Sequence, residues 1–171
     1  SAATCASCGE ALHRMLNFDP VPDAIGIRAV GRLDLVTCLS CLGWEKEALF
    51  FKHEADGLVI PLPCGDKVTP EFCSGPLQET TVSLAQTPPR WQRQSWGSSN
   101  GRENLNRIGG HPSWIQSAQY PRCPQCAQKM PFLMQLDSDL PLADGGEWLW
   151  GSGGIGYFFW CDGCRISAGL W

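Results

Sequence analysis

The sequence predicts a mainly β protein with few short helices, built as an internally duplicated, pseudo-two-fold β-sheet scaffold. Three observations carry this reading. Nineteen Gly and thirteen Pro in 171 residues leave little room for long helices between breaks. Eight of the ten Cys fall into four pairs of one spacing, Cys5/Cys8, Cys38/Cys41, Cys123/Cys126 and Cys161/Cys164. Laying Cys5 on Cys123 without gaps puts Cys8 on Cys126, Leu12 on Met130, Leu16 on Met134, Phe18 on Leu136 and Asp19 on Asp137.

In each half the first Cys pair leads into an apolar stretch ending in Asp, LHRMLNFD and MPFLMQLD. A Gly/Pro-containing excursion follows, then a strand-like run into the second pair: Leu33 to Thr37 and Tyr157 to Trp160. In MPFLMQLD, strict alternation would set Met130, Phe132, Met134 and Leu136 on one face, with Pro131, Leu133 and Gln135 on the other. Leu133 spoils a polar second face, so both sides are expected to be covered. After Cys41 the chain reads as a strand turning at Ala55-Asp56-Gly57 into Leu58 to Ile60, and residues 78 to 86, QETTVSLAQ, are β-rich. Pro88-Pro89 then ends regular structure. The expected organisation is a first repeat over 1–87, a linker with a GG-x-P-x-W segment over 88–122, and a second repeat over 123–171, packed as one unit.

Two thiolates three positions apart on a tight turn converge on one metal ion, and a second such pair closes a tetrahedron. The repeat assigns Cys5, Cys8, Cys38 and Cys41 to one zinc and Cys123, Cys126, Cys161 and Cys164 to another, two zinc-ribbon-like four-cysteine sites per chain. Disulfide scaffolds usually have irregular spacings and shorter chains. A thioredoxin-like redox pair would open a helix after a buried strand, context that Cys5 and Cys123 lack, and an iron cluster is the remaining alternative. Each half, about 40 residues between its outer cysteines, is too small to fold by apolar burial alone, so the metal replaces missing core. Cys64 and Cys73 have no partner at this spacing and read as small buried residues.

Composition bounds the function. With 43% apolar residues, eight Trp and 18% charged residues the chain supports an ordered, aromatic-rich core. A net charge of −4 excludes a surface tuned throughout to nucleic acid. No apolar run approaches a membrane span and the N-terminus lacks a signal-peptide pattern, so a soluble, cytoplasmic chain without a membrane partner is expected. The absent initiator Met and an ending at Gly-Leu-Trp suggest a piece of something longer.

Residues 90–107 hold Arg90, Arg93, Arg102 and Arg107 against Glu103, with Trp91 and Trp96 interleaved. Such a loop suits a phosphate backbone and stacked bases, or serves as a connection anchored by its Trp side chains. Residues 151–156, GSGGIG, match the dinucleotide fingerprint in letters. A strand and a Cys pair follow where a helix is required, which makes a turn the better reading. Catalytic signals are thin. His13, His53 and His111 are scattered, Cys64 or Cys73 with a His lacks a local signature, and Asp137 with Asp139 is as readily a turn as a carboxylate pair. A zinc with four thiolates has no open position for water.

Residues 108–141, with Gly109, Gly110, Pro112, Trp114, Cys123, Cys126, Gln135 and Leu136, followed by 156–164 with Cys161 and Cys164, resemble the family that groups bacterial YwqG-like proteins with eukaryotic programmed cell death 2 relatives. The match is specific over the second half and weaker over the first, which has no GG-x-P-x-W before Cys5. The resemblance implies a duplicated β fold with non-catalytic zinc and a role in binding proteins, as a chaperone of a basic protein or a toxin-neutralising immunity protein. The chain is therefore expected to be a non-enzymatic interaction module, monomeric or weakly dimeric, with a basic protein partner. Trp91, Trp96, Trp114, Trp148, Trp150, Arg90 and Arg93 are its candidate partner-binding residues. An RNA- or DNA-binding accessory protein and a thiol- or carboxylate-based enzyme are the alternatives.

Overall fold

The computed structural model describes residues 3–42, 48–63, 65–67, 69, 75–86 and 105–171. Among them, strands β1 (His13–Phe18) and β2 (Leu33–Thr37) pair antiparallel as a separate two-stranded sheet, followed by the four-residue helix α1 (Leu39–Leu42). The rest of the chain supplies β3 (Leu49–His53), β4 (Val59–Pro61), β5 (Arg107–Ile108), β6 (Phe132–Asp137), β7 (Leu140–Pro141), β8 (Glu147–Trp148), β9 (Ile155–Cys161) and β10 (Ile166–Leu170). Six of these form one antiparallel sheet in the order β4-β3-β10-β9-β6-β5, while β7 and β8 make a small hairpin. Strands from residues 1–87, 88–122 and 123–171 all enter the large sheet.

The apolar run of β9 and the fully buried ISAGL of β10 have one cause: the sheet is covered on both faces. Along β9 the side chains alternate between two cores. Phe158 and Trp160 join Leu33, Leu35, Leu39 and Phe51 beneath the β1–β2 pair, whereas Tyr157 and Phe159 join Trp114, Met130 and Ile166 on the opposite side.

The duplication is written in backbone hydrogen bonds. Cys5 N–H donates to Glu10 O and Gly9 N–H to Cys5 O; at the aligned positions Cys123 N–H donates to Gln128 O and Ala127 N–H to Cys123 O. The bridge of Thr4 with Ala11 repeats as Arg122 with Lys129. Both halves then place the strand after the first Cys pair against the strand entering the second pair, and each pairing carries a bulge at the same aligned position, Met15 in β1 and Leu133 in β6. Corresponding strands β3 and β10 pair antiparallel with each other within the large sheet, as a two-fold relation requires. The symmetry breaks at β3, whose outer edge pairs with β4.

Two expectations are corrected. The bulge at Leu133 ends strict alternation in MPFLMQLD: Leu133 and Met134 both enter the core under β1–β2, while Met130 lies in the opposite one with Phe132 packed against it. Residues 78–86 are in no strand. Val82 and Leu84 are exposed there, since β propensity expresses itself only where a neighbouring strand and a face to cover are supplied.

His53, on β3, is buried with Nε2 2.8 Å from Ser167 Oγ and its ring edge against Trp160. Burial pulls its pKa down to about 4 from 6.5. As pH falls the unfolded chain takes up the proton first, so this residue's contribution is intact above about 6.5 and is lost between there and about 4, up to about 3 kcal/mol. An imidazole titration followed by NMR is expected to place the His53 midpoint near the lower limit; a midpoint near 6.5 refutes the buried neutral ring.

Candidate metal centres

The first centre is assembled by two short turns. A tight turn ending at Gly9, whose φ of 81° suits glycine, presents Cys5 and Cys8; Cys38 stands between β2 and α1, and Cys41 lies within α1. Cys5 Sγ lies 3.8 Å from Cys41 Sγ, and Cys8 Sγ 3.5 Å from Cys38 Sγ. The second centre repeats the plan. Cys123 and Cys126 lie on a turn ending at Ala127, φ 58°, while Cys161 ends β9 and Cys164 closes a 3-10 turn, with Cys126 Sγ 3.7 Å from Cys161 Sγ. Within each set of four, all sulfurs lie within 4.8 Å of one another.

These spacings decide between the chemistries. A tetrahedron of zinc–sulfur bonds of about 2.3 Å has sulfur–sulfur edges of about 3.8 Å, whereas a disulfide needs about 2.05 Å. All eight cysteines are unbridged, and the residues fit a four-thiolate metal site. They gather four and four in the sets the repeat assigns.

Backbone N–H groups point at the sulfurs. Cys8 N–H faces Cys5, Cys41 N–H faces Cys38 and Cys164 N–H faces Cys161. With four sulfurs packed together, hydrogen bonding led by the Cys38 thiol holds Cys5 down at about 4, while burial pushes Cys41 and Cys161 up to about 12. Without a cation such a cluster keeps protons; a divalent ion displaces them, so metal affinity must fall as pH falls. The centres also differ in depth. Cys5, Cys38 and Cys41 belong to the core under β1–β2, whereas Cys126 is exposed.

Other sequence-selected residues lie elsewhere. Trp114 and Trp148 are 8% exposed and Trp150 is 0%, and their rings pack into the two cores, which leaves them little free surface. Trp114 packs on Tyr157 and Tyr120, and Trp150 Nε1 donates to Asp137 O. Arg107 is buried too, donating from Nη2 to His111 O and Ser113 Oγ, which removes it from any phosphate-facing loop. Arg90, Trp91, Arg93, Trp96, Arg102, Glu103, Cys64, Cys73 and Pro88-Pro89 lie outside the described residues.

The GG-x-P-x-W segment is held by Gln135, fully buried on β6, whose Oε1 accepts from Ser113 N–H and whose Nε2 donates to Leu105 O. Tyr157 O–H donates to Ser113 O. That role of Gln135 was missed, although a Gln amid apolar neighbours signals a buried polar anchor. Residues 151–154 form the turn between β8 and β9, with no helix after it, so the dinucleotide reading has no support. Asp139 stands beyond β6 at φ 66°, a turn residue rather than a face-mate of Asp137. His13 Nε2 lies 3.0 Å from Gly75 O.

No helix among the described residues is long and apolar enough to cross a membrane. No solved structure matches the chain. A Salmonella typhimurium protein named Uncharacterized protein YpfL is 27% identical over 187 residues, covering 96% of this chain and 37% of the relative, so the chain spans well under half of that protein. The family described as Domain of unknown function (DUF1963) matches residues 46–161, a span holding Cys123, Cys126 and Cys161 but none of the first centre's ligands. A match over that much of its length makes the chain a member of the DUF1963 family.

Proposed function

We propose that the chain carries two structural zinc ions and works as a non-catalytic module that binds a basic protein, in the manner of a chaperone or a toxin-neutralising immunity protein. The observation that carries the reading is the gathering of eight thiols into two sets with tetrahedral spacing. Four thiolates fill zinc's coordination, which suits bracing rather than Lewis-acid chemistry. Two such centres take the net charge from −4 to about −8, which favours a cationic partner. The resemblance of residues 108–164 to YwqG-like and programmed cell death 2 proteins supports the same role.

With Trp114, Trp148 and Trp150 packed into the cores, the exposed apolar grip falls to the rim of a cavity that Trp114 and Trp150 floor. The cavity, of about 150 Å³, lies between the 151–154 turn and Trp171 and is edged by Ile115 and Gln116. Ile115 is 41% exposed and Trp171 40%, and both present apolar surface at its rim. Metal analysis of purified protein is expected to give two zinc per chain. Trp171→Ala with Ile115→Lys is expected to abolish capture of a basic host protein while leaving the zinc content at two; equal capture by wild type and variant rejects this surface.

A further inference from the structure

Two residues tie the second four-cysteine centre to the opposite half of the molecule. Lys52, on β3, donates from Nζ to Cys164 O at 2.5 Å and to Gln125 Oε1 at 3.4 Å. One cation from the first half thus touches both ligand-bearing turns of the second centre: Gln125 stands between Cys123 and Cys126, and Cys164 is itself a ligand candidate. Asp162, between Cys161 and Cys164, reaches the other way. Its Oδ1 accepts from the backbone N–H groups of Arg28 and Ala29, both at 3.1 Å, and from Trp160 Nε1 at 2.9 Å. Arg28 and Ala29 lie between Ile27 and Val30, which are buried in the core under β1–β2. A further strut is His53 N–H, which donates to Arg165 O at 2.8 Å, one residue past Cys164.

We propose that the second centre is a metal-dependent joint between the halves, with Lys52 and Asp162 as its positioning residues. This rests on the zinc reading above. A loaded four-thiolate centre carries −2, so a cation hydrogen-bonded to a ligand residue's carbonyl favours the loaded state over the empty one. The Asp162 carboxylate fixes the 3-10 turn that presents Cys164 and, with the same oxygen, docks residues 28 and 29. Emptying the centre frees that turn, and the amides of Arg28 and Ala29 lose their acceptor. Because Cys126 is exposed, a chelator reaches this centre first.

The test uses the intact two-zinc protein with a chromogenic chelator and backbone hydrogen exchange. Wild type is expected to release zinc in two steps, the faster one accompanied by loss of protection at Arg28 and Ala29. Lys52→Met and Asp162→Ala are expected to speed the faster step about ten-fold and leave the slower unchanged, the scale of losing an outer-shell partner. Asp162→Asn, which keeps an acceptor oxygen, is expected to stay near wild type. Should Lys52→Met and Asp162→Ala fold poorly, exchange in wild type after removal of the second centre's zinc alone decides. Unchanged protection at Arg28 and Ala29 after that removal, or equal acceleration of both steps in the variants, overturns the joint while two bound zinc ions still stand. A protein that binds no zinc overturns the underlying reading instead.

Discussion

Cys38→Ser is expected to lower the metal content from two ions per chain to one and to unfold the first half. Cys38 is wholly buried in the core under β1–β2, 3.5 Å from Cys8, at the end of β2 where α1 begins. Loss of packing is the smaller part of the effect. Exchanging a small buried thiol for a hydroxyl costs about 1 kcal/mol in transfer and a further 1–3 kcal/mol if the hydroxyl stays unpaired. Loss of a structural zinc removes about 10 kcal/mol or more, comparable with the whole stability of a domain, about 5–15 kcal/mol. The metal term therefore decides the outcome. Elemental analysis with near-ultraviolet circular dichroism checks it, and Cys38→Ser protein that keeps two ions and a native spectrum would sink the assignment. Chelation of the wild type is expected to give the same loss of signal, more readily at lower pH because protons compete for the thiolates.

The parts of this fold that were legible in the sequence are those set by short-range chemistry. Cys-x-x-Cys on a tight turn allows few geometries, and the gapless repeat supplied the pairing of pairs, which spacing alone leaves open. The runs at Leu33 to Thr37 and Tyr157 to Trp160 read as strands because β-branched and aromatic residues are concentrated there, and the strands form at those places. What was not legible depends on partners distant in the chain. Whether Trp114, Trp148 and Trp150 face solvent or core is decided by a sheet closed between β3 and β10, residues more than a hundred positions apart. The bulges at Met15 and Leu133 shift the facing of side chains without leaving a periodic trace, so alternation failed within a strand that was otherwise correctly placed. Asp162 shows the same limit: nothing in its place between two cysteines signals its acceptor role toward residues 28 and 29, which exists only in three dimensions.

The glycines of 151–156 supply the second large effect, and their meaning is steric rather than nucleotide-binding. A Cβ on Gly156 would lie 2.6 Å from the ring of Trp150, and one on Gly151 would lie 2.4 Å from the ring of Trp171. The two clashes are of similar size, yet their consequences differ because the neighbours differ. Trp150 is fully buried, crossed by Trp148 and Phe158 and held by its Nε1 donation to Asp137 O, so moving its ring disrupts these contacts together. Trp171 is partly exposed and can swing aside. Gly156→Ala is therefore expected to destabilise the protein by about 2–3 kcal/mol, the range of overpacking in a closed core. Gly151→Ala is expected to cost about 1 kcal/mol, from its φ of 57° rather than from crowding. Trp150→Leu, destabilising alone, should make room for the added methyl, so the double variant is expected to be more stable than the two single losses predict when added. Urea midpoints of the four proteins measure this. A Gly156→Ala midpoint within error of wild type, or strict additivity with Trp150→Leu, would mean that the turn and β9 yield more easily than the packed ring, and that these glycines answer to something other than the two tryptophans.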